Sequence, residues 1–207
     1  MCSSDLNGTA ISTNLFKSLP FDVLKDFTQL STLAFFDLVM IAGPESRFKS
    51  AAEVISFARA NPGKLNVGSI NIGSTQHLTA ELFKSVANLD AQVVPYNGTP
   101  AVVTALRGGQ VDVAVEVLSP VLPQIRGGVL RPLAVTSAKR SAVLPQVPTA
   151  KEAGLTQLVS SSWNGLAAPA KTPKEVVDRL NREVALALQD PGVVKRLQEL
   201  NIDPHPS

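Results

Sequence analysis

The sequence predicts an α/β fold with mostly parallel strand pairing. Three observations carry this. Runs of strand length, apolar or strictly alternating, recur along the chain, as in Leu38–Ala42 (LVMIA) and Val111–Val117 (VDVAVEV). Between them lie segments whose apolar residues fall at helical spacing. Those segments open on capping residues and close on glycines, so the two periods alternate in order. No internal repeat is present.

The elements follow from their punctuation. Pro20-Phe21-Asp22 reads as a turn before a short strand near 28–33, and Leu38–Ala42 reads as a second, apolar strand closed by Gly43-Pro44. Ser50-Ala-Ala-Glu53 is a capping box that opens a helix; Val54, Ile55 and Ala58 form its stripe and Asn61-Pro62-Gly63 stops it. Leu65–Ser69 is a strand. The loop Gly68–Gly73 feeds a helix from about Ser74, with Leu78, Leu82 and Val86 as its expected apolar stripe. Val93–Tyr96 is a strand. Thr99-Pro100 reads as an N-cap with proline at N1, and Gly108-Gly109 ends that helix. In Val111–Val117 the alternation puts Asp112, Ala114 and Glu116 on one face of a half-buried strand. A helical turn is expected near 121–125, then a strand at Leu133–Thr136. Thr149-Ala-Lys-Glu152 is a second capping box, with Gly154 closing a short helix. A strand at Trp163–Ala168 precedes the longest helix, capped by Thr172-Pro173, with Val176, Val177, Leu180, Val184 and Leu188 on one face. Asp190-Pro191 opens a last helix, and the tail Asp203–Ser207 is read as following it with no closing element.

Composition bounds the chemistry. With 44% hydrophobic and 17% charged residues, 207 residues hold a sizeable core in one large domain or two small ones. A net charge of +2, with no basic cluster longer than Lys139-Arg140, argues against nucleic acid as a partner. One cysteine excludes an internal disulfide framework, and two histidines leave little for a metal site. The run Leu33–Ala42 is broken by Asp37 and falls short of the ~18 apolar residues of a membrane span. Residues 1–6 (MCSSDL) have no charged or apolar signal-peptide region; they match one reading frame of a common sequencing adapter and are expected to be a non-native leader.

One loop carries chemistry. Gly68-Ser-Ile-Asn-Ile-Gly73-Ser74-Thr75 has the glycine spacing of a phosphate loop between strand and helix, with Ser74 where that motif has lysine. Backbone N–H groups and the positive end of the helix dipole still face an anion there. Without the lysine, the hydroxyls of Ser69, Ser74 and Thr75 suit a carboxylate better than a triphosphate. The plainer reading is a turn with Ser74 as N-cap only. His77, one turn on, either donates toward the anion or serves the loop. Tyr96-Asn97-Gly98-Thr99-Pro100 is a second strand-to-helix loop, or an ordinary Asn-Gly turn. Asp112 and Glu116 are either an acid pair or exposed strand carboxylates. No G-x-S-x-G or H-E-x-x-H motif occurs, and a Ser74/His77/Asp112 triad has no support in spacing.

At these residues the chain resembles the substrate-binding proteins of tripartite tricarboxylate transporters, the Bug family of extracytoplasmic solute receptors. The matches run in order: Leu19-Pro20-Phe21-Asp22, Lys25-Asp26-Phe27, Ala60–Leu65, Gly68-Ser69, Gly73-Ser74, His77-Leu78, Glu81-Leu82-Phe83, Val94-Pro95-Tyr96, Gly98, Pro100-Ala101 and Gly109–Asp112. Leu130–Thr136, Val147-Pro148-Thr149, Glu152-Ala153-Gly154, Trp163–Leu166, Ala168-Pro169, Thr172-Pro173 and Arg179-Leu180-Asn181 complete the series.

The resemblance implies a two-lobed, periplasmic-binding-protein-like clamshell, with 7–44 and 132–207 in a partial first lobe and 45–131 in the second. It implies a periplasmic receptor, a monomer, that captures a small organic carboxylate for membrane transporter subunits. No cofactor, metal or covalent chemistry is expected. The expected ligand-binding residues are Ser69, Asn71, Gly73, Ser74, Thr75, His77, Tyr96, Asn97, Gly98, Thr99 and Glu116, the last where the family often has an acid near the ligand's far end. Asn97 stands where lysine or arginine is common. Lys171 stands in place of a usual glycine. The family's signal peptide, first strand and glycine-rich loop, and last helix are not in this sequence, which is therefore read as a fragment. The alternative is a small α/β enzyme using the Gly68–His77 loop as a carboxylate or oxyanion pocket.

Overall fold

A computed structural model describes residues 2–3 and 6–207, with side chains from residue 9 onward. The expected leader therefore lies largely outside the described residues. The elements are β1 (Cys2–Ser3), α1 (Leu6–Leu15), β2 (Phe27–Ala42), α2 (Ala51–Ala60), β3 (Leu65–Ile70), α3 (Thr75–Ala87), β4 (Ala91–Tyr96) and α4 (Thr99–Arg107). They continue with β5 (Val113–Val117), α5 (Leu118–Arg126), β6 (Arg131–Val135), β7 (Ser161–Pro169), α6 (Lys174–Ala187), α7 (Pro191–Glu199) and β8 (Ile202–Pro204). Among the described residues no helix is long and apolar enough to cross a membrane.

The chain forms two compact units, Asp37–Ser161 and Met1–Phe36 with Ser162–Ser207. The first boundary falls inside β2. The two strands expected at 28–33 and 38–42 are one 16-residue strand, because Asp37 is accommodated without breaking the extended backbone. The unit 37–161 takes in Asp37–Ala42 and Arg131–Val135 because both hydrogen-bond within its sheet.

That sheet runs β6-β2-β5-β3-β4. β3 is parallel to β4 (Leu65 opposite Ala91) and to β5 (Val67 opposite Val113). β2 is antiparallel to β5 and β6. The sheet is mixed, which corrects the expectation of mostly parallel pairing; the chain enters the unit on a strand that needs no crossover. Its two faces hold separate cores. On one, α2 and α3 cover Leu38, Met40, Leu65, Val67 and Val113; on the other, α4 and α5 cover Val39, Ile41, Ala114 and Leu130. β5 is therefore buried on both faces rather than half-buried.

Several local readings are corrected by packing. α3 presents Gln76, Thr79, Ala80, Phe83 and Ala87 to the core, while Leu78 and Leu82 stay 38% and 36% exposed. Alanines at 80 and 87 let the helix lie close to the sheet, and Phe83 fills the space between. The 121–125 turn is a full helix, α5, with Pro123 inside it. The Thr149 capping box forms, with Thr149 N–H donating to Glu152 Oε2 (2.8 Å) and Glu152 N–H to Thr149 Oγ1 (3.1 Å), but it closes a turn rather than a helix.

In the other unit, β2 pairs antiparallel with β8 (Phe35 opposite Asp203), so a strand does follow the last helix. β1 pairs with β7, Cys2 opposite Ala167. α6 starts at Lys174 with no side-chain cap, while Asp190 caps α7 by accepting from Gly192 and Val193 N–H. Neither helix has a fully buried residue, so the apolar stripe read on α6 is only half covered.

Gly43 ends β2 where α4 crosses it. A Cβ there would stand 2.7 Å from the Leu106 carbonyl oxygen, a backbone atom with little room to retreat. Gly43→Ala is expected to cost about 1–3 kcal/mol, read as a lower urea midpoint at constant slope. An unchanged midpoint would mean that this crossing is not tightly packed.

Candidate functional site

Parallel pairing places the C-terminal ends of β3, β4 and β5 at one edge of the Asp37–Ser161 sheet. α3 and α4 both begin there. The loop after β3 turns at Gly73, whose φ of +86° suits glycine. Asn71 N–H donates to Tyr96 O (3.0 Å) and joins this loop to the end of β4. Ser74 is the N-cap of α3: its Oγ accepts from His77 N–H (3.1 Å) and donates to Ile70 O (3.2 Å). The serine that replaces the phosphate-loop lysine thus closes the loop onto the strand it came from.

The second loop caps differently from the expectation. Gly98, with φ +89°, is the N-cap of α4, and Thr99 is its first helical residue. Thr99 does not cap because its hydroxyl is used elsewhere: Oγ1 donates to Glu116 Oε2 at 2.9 Å. Pro100 has no N–H, and Ala101 and Val102 N–H both turn to Gly98 O. This end contributes its dipole and Thr99 more than a ring of donors.

Glu116 is neither exposed nor paired with Asp112. It is fully buried. Asp112 lies at the other end of β5, where it accepts from Asn66 N–H (2.9 Å) and pairs with Arg47 (3.1 Å). That separation also removes Asp112 from any triad with Ser74 and His77. Burial pushes the Glu116 carboxyl up to about 7, against hydrogen bonds from Thr99, Gln76 and the Val117 backbone that favour the charged form.

Three buried polar atoms here have no hydrogen-bond partner: Ser69 Oγ, His77 Nδ1 and Glu116 Oε1. Such atoms are uncommon and mark places where a ligand or water completes the bonding. Asn71 and Asn97 are exposed, and Tyr96 is half-buried. The two loops, 68–77 and 96–99, contain no lysine or arginine. The positive groups that these two loops do offer are the N-termini of α3 and α4 and the hydroxyls beside them. Among the described residues no group of three His, Cys, Asp or Glu side chains is placed to hold a metal ion.

Sequence reasoning missed Gln76, buried on α3 beside Glu116. It also missed a hydroxyl chain in which Thr79 Oγ1 donates to Ser160 Oγ (3.0 Å) and Ser160 Oγ to Thr136 Oγ1 (3.1 Å). A helix stripe containing Gln and Thr where Leu was available is the signal that could have found them. A cavity of about 290 Å³ lies at the opposite end of the sheet, lined by Gly43, Pro44, Arg47, Phe48, Arg107 and Asp112 among others, away from both loops.

Residues 4–207 match the model of the tripartite tricarboxylate transporter family receptor. The chain belongs to this family. Among curated relatives, BugT of Bordetella pertussis is 34% identical over 195 residues, which is 94% of this chain and 60% of that protein. Among solved structures, a protein of R. palustris with adipate matches with TM-score 0.87 and 34% identity, over 91% of this chain and 63% of the other. MatC from Rhodopseudomonas palustris, with bound malate, matches with TM-score 0.83 and 31% identity, over 93% and 65%. The chain thus spans about 60% of the length of the curated relatives it matches. These neighbours place the α/β architecture among periplasmic binding proteins of the tricarboxylate-receptor kind.

The raised Glu116 pKa has a stability consequence for this family member. A carboxyl at 4.5 when unfolded and about 7 when folded binds more protons in the folded state between those values. Its contribution is fully present below pH 4.5 and is lost as pH rises through 7, on the order of 3 kcal/mol in all. Glu116→Gln keeps an acceptor for Thr99 and removes the charge. Its Tm relative to the parent should rise between pH 5 and pH 8; a difference constant with pH would contradict the buried-acid reading.

Proposed function

We propose that this receptor-family chain binds a small organic carboxylate at the loops 68–77 and 96–99 and delivers it to membrane subunits of a tripartite tricarboxylate-type transporter. The observation that carries the reading is the meeting of the α3 and α4 N-termini at one sheet edge, with buried unpartnered polar atoms and no lysine or arginine in either loop. A lone carboxylate matches the roughly half charge at each helix end, whereas a triphosphate would need a fixed cation. Ser69, Asn71, Gly73, Ser74, Thr75 and His77 serve the α3 side, and Tyr96, Asn97, Gly98 and Thr99 the α4 side. Glu116 lies beneath both. The proposal takes 45–131 as the second lobe, with 7–44 and 132–207 in the first. It includes a periplasmic location, a monomeric receptor and no catalysis. Support comes from family membership and from relatives whose structures hold adipate or malate.

The full-length gene product is expected to gain thermal stability with at least one member of a carboxylate panel that includes adipate and malate. Saturation at 100 times Kd corresponds to about 2.7 kcal/mol. Ser74→Trp, which blocks the first turn of α3, should abolish the shift while the protein still melts cooperatively. A panel without any stabilising acid, or a Trp variant that responds like the parent, would sink the reading.

A further inference from the structure

Glu116 occupies a position that the binding reading alone does not explain. Its side chain bonds to both helices whose N-termini form the site. Thr99, the first residue of α4, donates to Oε2 at 2.9 Å, and Gln76, the second residue of α3, is a further hydrogen-bond partner of the carboxyl. The carboxyl is wholly buried, and Oε1 has no partner. Glu116 therefore sits below the two loops, tied to the first turn of α4 and with Oε1 left to be completed by a ligand, a water or a proton.

The charged groups around it are few. On α3 the nearest titratable residue is His77. β4 ends on Tyr96, and β2, whose Val39 lies opposite Glu116, carries Asp37 two residues earlier. The first turns of α4 and α5 carry no acid, and their basic residues, Arg107 and Arg126, lie in the last turns. Among the described residues no cation faces the carboxyl to hold it ionised.

A carboxylate docked across the α3 and α4 N-termini sits within about one helical turn, ~5 Å, of both bracing residues. A ligand charge separated from the buried Glu116 carboxylate only by these residues, shielded from water and with no cation between, disfavours ionisation of both. We propose that Glu116 is a positioning residue coupled to ligand capture through a proton: it takes one proton from solvent as a carboxylate docks and returns it on release. This rests on the carboxylate-binding reading above. As a neutral acid, Glu116 still accepts from Thr99 through one oxygen, and the protonated oxygen gains a donor, so the brace persists while the repulsion is removed. The free carboxyl titrates at about 7, so it is often ionised before docking at neutral pH.

The test is titration calorimetry of the full-length gene product with adipate and malate, in buffers of differing ionisation heat, from pH 5 to 8.5. Proton uptake should be near zero at pH 5 and approach one per ligand above pH 7, with affinity falling by up to about tenfold per pH unit in that window. Glu116→Gln should remove both the uptake and the pH dependence, which loss of a purely structural contact would not do. In the parent, the 13C carboxyl resonance of Glu116 should move to its protonated position on binding, which separates it from His77 and does not rely on the variant. Binding heat independent of buffer at pH 8, or an unmoved Glu116 resonance, overturns the coupling. Absence of binding by either acid at every pH overturns the carboxylate reading as well, and is distinguishable from loss of coupling alone.

Discussion

Parallel pairing of β3 with both β4 and β5 is the constraint on which the candidate site depends. Parallel neighbours end at the same sheet edge, so the helices that follow them start together. Had β4 run the other way, the N-terminus of α4 would lie at the far edge, beside Asp112 and Arg47. The bond from Asn71 N–H to Tyr96 O then ties the two loops at that edge. The two cores enforce the arrangement, since each face of the sheet is sealed by a separate helix pair.

The same edge concentrates features that cost stability. Among the described residues Glu116 is a buried acid without a cation, and its own Oε1, Ser69 Oγ and His77 Nδ1 lack partners. A core built only for stability would place Gln or Leu at 116. Such local conflicts tend to collect where function needs them. Neither loop carries lysine or arginine, so the positive potential at this edge is that of the helix N-termini. The hydroxyl of Thr99 illustrates the trade: it leaves the capping role to Gly98 and serves Glu116 instead.

Much of this was legible from residue order, and the misses have physical causes. The Ser50, Ser74 and Asp190 caps were readable because a hydroxyl or carboxylate before an apolar period has one common use. The cap at Thr99 was misread because its competitor, Glu116, lies 17 residues away in sequence and meets it only through the fold. The α3 stripe was misread because leucines at 78 and 82 outrank alanines at 80 and 87 on any hydrophobic scale, yet a helix lying close to a sheet needs the small face inward. The continuity of β2 was hidden by Asp37, and the antiparallel pairings by the absence of tight hairpin turns. The Thr79–Ser160–Thr136 chain left no local signal because its members are 81 and 24 residues apart.

Docking of a carboxylate on the N-termini of α3 and α4 is the step from which the proposed function follows. It is tested most directly by two-dimensional amide NMR of the full-length gene product titrated with adipate and malate. The largest shifts are expected on the backbone N–H groups of Gly73 to His77 and of Gly98 and Thr99. Shifts confined to the opposite end of the sheet, around Arg47, Arg107 and Asp112, with these amides unmoved, would contradict it.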